Sequence, residues 1–105
     1  MNNQGREIND KLQQALDTVE DEKTFLQFMA ALAGNWDAEQ EIEQVTPSSP
    51  YEPGALGWDS GTIGAYLWAA HAWGDASSDN LPAYKKPDNV WRRVADILYV
   101  GKIYE

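Results

Sequence analysis

From Ile63 to Trp73 the chain carries no formally charged side chain, and within that stretch lie Tyr66, Leu67, Trp68, Ala70 and Trp73. Ile63, Tyr66, Leu67, Ala70, Trp73 and Gly74 fall on one helical face, while Trp68 and Ala72 fall elsewhere on the wheel. A helix that is apolar nearly all round is normally enclosed by other elements. The run is too short to cross a bilayer, which takes about 18 or more apolar residues. The expectation is therefore a central helix, starting near Asp59 or Ser60 and running to about Asp75, with the rest of the chain wrapped around it.

Three other segments repeat at helical spacing. Ile8, Leu12, Ala15, Leu16 and Val19 mark an N-terminal helix over about 8–18, preceded by a flexible tail over 1–7. Asp21 is an N-cap candidate, with Glu22 in the first turn, where the helix dipole favours an anion. Phe25, Phe28, Met29, Leu32 and Trp36 then form an apolar stripe. Gly34-Asn35 offers a stop for this helix. The alternative is continuation to about Gln44, against which the like-charged i, i+4 pairs Asp37/Glu41 and Glu39/Glu43 weigh only slightly. The segment Ala38–Val45 is also the one place where alternation admits a strand. Pro87-Asp88 opens a last helix running to about Tyr104, with Val90, Trp91, Val94, Ala95, Ile97 and Leu98 on its apolar face. Between the halves, Val45 to Gly57 holds Pro47, Pro50, Pro53, Gly54 and Gly57 and reads as one long connection. A shorter polar loop covers Ala76 to Pro87. The expected fold is all-α: a single-domain bundle of three main helices plus the N-terminal one, spanning 1–105.

The chain is 105 residues long and contains no cysteine. A secreted domain of this size commonly relies on disulfides, and the opening stretch Met1 to Glu7 leads into no apolar signal core. The expected location is the cytoplasm. The formal charge of −9 argues against nucleic acid and against an anionic membrane, both of which call for clustered Lys and Arg. It suits a basic protein partner.

The charge is also unevenly spread. No Lys or Arg occurs between Lys23 and Lys85, an interval holding Asp37, Glu39, Glu41, Glu43, Glu52, Asp59, Asp75 and Asp79. Asp37, Glu39, Glu41 and Glu43 recur at every second residue. On an extended segment they would share one face, whereas on a helix they would diverge. Together with Tyr51 and Glu52 they are the candidate partner-binding residues, read against the blander alternative of a solvated face. Their spacing lacks the glycine and distal glutamate of a Ca²⁺ loop, so neither metal nor cofactor is expected.

Two blocks carry a family resemblance. One is Trp58-Asp59-Ser60-Gly61-Thr62-Ile63, continuing to Tyr66-Leu67, Ala70 and Ala72-Trp73. The other is Trp91-Arg92, then Ala95-Asp96-Ile97-Leu98, ending in Tyr104-Glu105. With Phe25, Phe28 and Leu32 they resemble a family of small bacterial proteins of unknown function with W-x-N-x-(S/T)-L, A-x-x-A-W and W-R-x-x-A-D-x-L…Y-E motifs. The resemblance implies a compact helical domain and no particular chemistry. The acidic, Pro- and Gly-rich stretch from Asp37 to Gly57 departs from the family pattern. Immunity proteins paired with toxins are similar in general style, an analogy of size and charge alone.

The functional expectation is a protein-binding or inhibitory module that engages a basic partner, in the immunity style. Two alternatives stand beside it. One is a structural homo-oligomer pairing through the Trp68/Ala72 face. The other is a small hydrolase in which His71, the single histidine, is oriented by Asp75 four residues on. No serine lies in a G-x-S-x-G elbow, which leaves catalysis the weaker reading. Trp36, Trp73 and Trp91 are expected in the core, and Tyr51, Trp58 and Tyr84 as lids.

Overall fold

The computed structural model describes residues 4–79 and 81–104. Within them the chain forms α1 (Gln4–Asp17), α2 (Glu22–Val45), α3 (Ile63–Ala76) and α4 (Val90–Gly101), with no strand. The protein is an all-α bundle, as the periodicities predict. Three residues of the expected tail fall outside the described range, and α1 begins at Gln4, taking in the rest of it.

Each helix start has a local cause. Asp21 caps α2: its carboxylate accepts the Thr24 N–H at 2.8 Å, and the Thr24 hydroxyl accepts the Asp21 N–H at 3.0 Å, a reciprocal capping box. Thr62 and Asn89 cap α3 and α4 through the N–H groups of Ala65 and Arg92. Both caps fall one to three residues later than the sequence signals placed them. The short link between α1 and α2 folds them into an antiparallel hairpin, in which Asn9 of α1 meets Asn35 of α2.

The core is built from Leu12, Leu16 and Val19, then Phe28 and Leu32 of α2, Ala95 of α4, and Leu56 and Trp58 from the long connection. The expectation of a central third helix is overturned. Among the described helices α3 packs closely against α4 alone. Ile63 is 80% exposed and Trp68 74%, and Leu67 is exposed as well. Its inner side is Tyr66, Ala70 and Trp73, with Gly74 half-buried. Much of the segment's apolar character comes from Ala and Gly, which satisfy a hydropathy pattern without needing enclosure. The interior place goes instead to Leu56 and Trp58.

The α3–α4 crossing is tight. A methyl group added at Gly101 would lie 2.9 Å from the Ala70 Cβ and 3.1 Å from the Tyr66 ring. The Tyr66 hydroxyl donates to the Leu98 carbonyl at 2.7 Å. At the other end of the crossing, Arg93 donates to the Gly74 carbonyl at 2.8 Å and to the Ser77 hydroxyl at 2.9 Å, and its guanidinium stacks over the Trp73 ring. Tyr84 covers Trp73 edge-on at 4.9 Å and donates to Asp96. It is the lid expected of it. Tyr51, by contrast, is 97% exposed, and Trp91 is an exposed ring against Phe25 rather than a core residue.

Candidate functional site

The second helix does not stop at Gly34-Asn35. It runs to Val45, and its distal half carries a polar stripe at i, i+4 and i+8: Asn35, Glu39 and Glu43. Each ties down part of the long connection. Glu43 accepts the Ser48 N–H at 2.8 Å, the Ser48 hydroxyl at 2.7 Å and the Ala55 N–H at 2.9 Å. Glu39 accepts the N–H groups of Leu56 at 2.8 Å and Trp58 at 3.3 Å. Asn35 accepts the Trp58 indole N–H at 2.8 Å and donates to Asn9. The same Asn9 oxygen accepts from the buried Lys102 ammonium at 3.0 Å, and Asn9 donates to the Leu56 carbonyl. A backbone can be buried only where its polar groups find partners. Here the side chains of α2 provide them.

These bonds leave their mark on titration. The Ser48 N–H and hydroxyl, followed by the Ala55 N–H, hold Glu43 below its ordinary value against the opposing effect of burial. Burial pulls Lys102 down, opposed by the attraction of the Glu39 carboxylate. Burial pushes the Tyr66 phenol up to about 12, so it remains a donor at neutral pH.

The acidic run therefore divides. Glu39, 3% exposed, and Glu43 face inward and serve the fold, while Asp37 and Glu41 face solvent. The candidate partner-binding residues Asp37, Glu39, Glu41 and Glu43 do not share the one face that an extended segment would give them: they lie on a helix, which separates residues two apart by about 200°, and for buried Glu39 the assignment is corrected. Glu52 is exposed and accepts the Ser49 N–H at 2.9 Å, closing its own turn. Exposed Tyr51 belongs to the same turn. The His71–Asp75 pair is not brought together either, with no hydrogen bond or ion pair between them among the described residues. His71 instead lies edge-on to Trp68 at 5.9 Å.

A concavity among the described residues lies elsewhere. An open groove of about 660 Å³ runs between α2 and α3. Met29, Ala33 and Trp36 form one wall and Ile63 the other, with Leu32, Trp58, Tyr66 and Leu98 beneath. Trp36 meets Trp58 edge-on at 5.1 Å, and Trp58 lies 5.9 Å from Tyr66, so the aromatic floor is continuous. Asp37 is the one formally charged residue of the lining. Sequence reasoning placed Met29 and Ile63 in the core. The groove exists because α3 leans on α4, not α2, and leaves both side chains exposed along the same open lining.

Compared with family models, curated proteins and solved structures, the chain matches none.

Proposed function

We propose that the protein is a protein-binding module whose α2–α3 groove receives a basic amphipathic helix of a partner. The observation that carries this reading is the groove itself, an apolar trough with an aromatic floor and a single acidic side chain at its lip. Both walls are helices whose backbone groups are already paired, so they offer no free edge to an added strand. A helix lying in the trough through its side chains is the mode that suits such walls. The partner's charge follows from the chain. Both walls come from the interval between Lys23 and Lys85, which holds no basic residue, and the whole molecule carries −9. Asp37 and Glu41 stand exposed beside the groove. A positive flank on the incoming helix would speed encounter and set its orientation. The cysteine-free composition fits a cytoplasmic setting for this encounter.

The test is titration of the full chain with a synthetic helical peptide of leucine and lysine, monitored calorimetrically. Saturable binding is expected, weakening by about tenfold or more as salt rises through the screening range. Ile63→Gln should weaken it further without disturbing the fold, since that side chain is solvent-facing. Equal binding of a leucine and glutamate peptide, or indifference to Ile63→Gln, overturns the reading.

A further inference from the structure

The apolar surface of the groove continues past its cavity. From Thr24 to Trp36 α2 carries no Asp, Glu, Lys or Arg, and from Ile63 to Gly74 α3 carries none either. On α2, Phe25 lies one turn before Met29, and Leu26 is exposed beside it. On α3, exposed Leu67 follows Ile63 by one turn on the same face. The floor is prolonged as well. Val94 and Trp91 precede Leu98 on α4 by four and seven residues, so they share its face, and both are exposed. Trp91 meets Phe25 at 5.5 Å between ring centres, which joins floor to wall at that end.

Val94 fixes the direction of this extension. On α4, Trp91 touches α2, and Ile97 lies beside Gly74 of α3. Val94 is three residues from each, about 60° round the helix from either, and so points between α2 and α3. The trough thus follows α4 from Leu98 toward Trp91. Along its α2 wall, Phe25 to Trp36 span about 16 Å, or three turns.

We propose that the partner helix occupies this whole trough, presenting three turns of apolar side chains at about i, i+4, i+7 and i+11. The inference rests on the groove reading and extends it, because it sets the length and pattern of the element recognised. Both walls are uncharged along that length, so the contact face of the incoming helix is apolar throughout. Asp37, at the Trp36 end, is the point at which a cation on its flank would meet an opposite charge.

Calorimetry of the full chain with two leucine and lysine peptides tests the extent of the site. The peptides have equal length and charge, and a side-chain bridge on the outer face holds both helical. One carries leucine at i, i+4, i+7 and i+11, and in the other glutamine replaces the last two. The four-leucine peptide should bind about tenfold or more tightly than the other, a difference readily resolved in dissociation constant. Leu67→Gln and Val94→Gln should each weaken the four-leucine peptide and leave the two-leucine peptide unchanged. Both positions are solvent-facing, and circular dichroism should report unchanged helix content. Trp68→Gln, on another face of α3, should alter neither. Equal affinity of the two peptides overturns the inference, as does a four-leucine peptide indifferent to both Leu67→Gln and Val94→Gln. Where Ile63→Gln still weakens binding, the groove reading survives those results. Absence of saturable binding by either peptide sinks both.

Discussion

The Glu39 carboxylate accepts the backbone N–H groups of both Leu56 and Trp58. A buried negative charge on α2 thereby holds in place the two loop residues that fill the core. Gly54 is part of the same fit, because a Cβ there would overlap that carboxylate. Glu39→Ala leaves two buried donors unpaired, each costing about 1–3 kcal/mol, and should destabilise the protein by about 2–6 kcal/mol. Both bonds fall on the same oxygen, so Glu39→Gln keeps the acceptor and loses only its charge, and should cost less than Glu39→Ala. Urea unfolding of the three proteins checks the order.

The tryptophans should separate sharply. Trp58→Ala removes a buried ring and its bond to Asn35, and should cost about 3–5 kcal/mol. Trp68→Ala removes a solvent-facing ring and should change the stability of the single chain by less than about 0.5 kcal/mol. Denaturation at a concentration low enough to keep the chain monomeric measures both. A large loss at Trp68 in the monomer would contradict the placement of α3.

Gly101→Ala places a methyl group against Ala70 and Tyr66 where α3 crosses α4. Overpacking of this kind should cost about 1–3 kcal/mol. The double variant with Ala70→Gly should recover part of the loss, since the two sites share one contact. Thermal melts of the two single variants and the double variant give the coupling.

Glu43 sets an acid dependence. Its folded value lies below the ordinary 4.5, so its contribution to stability is complete above about that pH. The contribution is lost as pH falls through the lower folded value. Glu43→Gln should therefore be less stable than the parent protein at pH 7, and the gap should narrow on acidification below the ordinary carboxylate range. A gap that widens in acid would contradict the bonds from Ser48 and Ala55.

Much of the scaffold was legible in the residues. Asp21 signalled its cap, and Phe28 and Leu32 lay on the stripe that α2 buries. Ala95 sat on the apolar face of α4. The polar stripe was harder to read, because the partners of Glu39 are backbone donors 17 and 19 residues downstream and backbone donors have no sequence signature. The spacing Asn35, Glu39, Glu43 was the available clue, masked by the alternate-residue pattern of the same acids. The placement of α3 was misread for a different reason. Hydropathy records what a side chain would tolerate, and Gly64, Ala65 and Ala72 tolerate either environment. The groove inherits that error, since Met29 and Ile63 line it only if α3 stands off from α2.

Because α3 is held by α4 and flanked on both sides by non-helical chain, its detachment would leave the hairpin of α1 and α2 standing. Such a detachment would break the Tyr66 and Arg93 bonds together and bare the small-residue seam at Gly101. Amide protons over 67–74 should then exchange with solvent through this sub-global opening, at lower free energy than those over 28–35. The Ile63 wall of the proposed groove would thus reside on a segment that one helix alone supports, where an arriving partner could add rigidity that the isolated chain lacks.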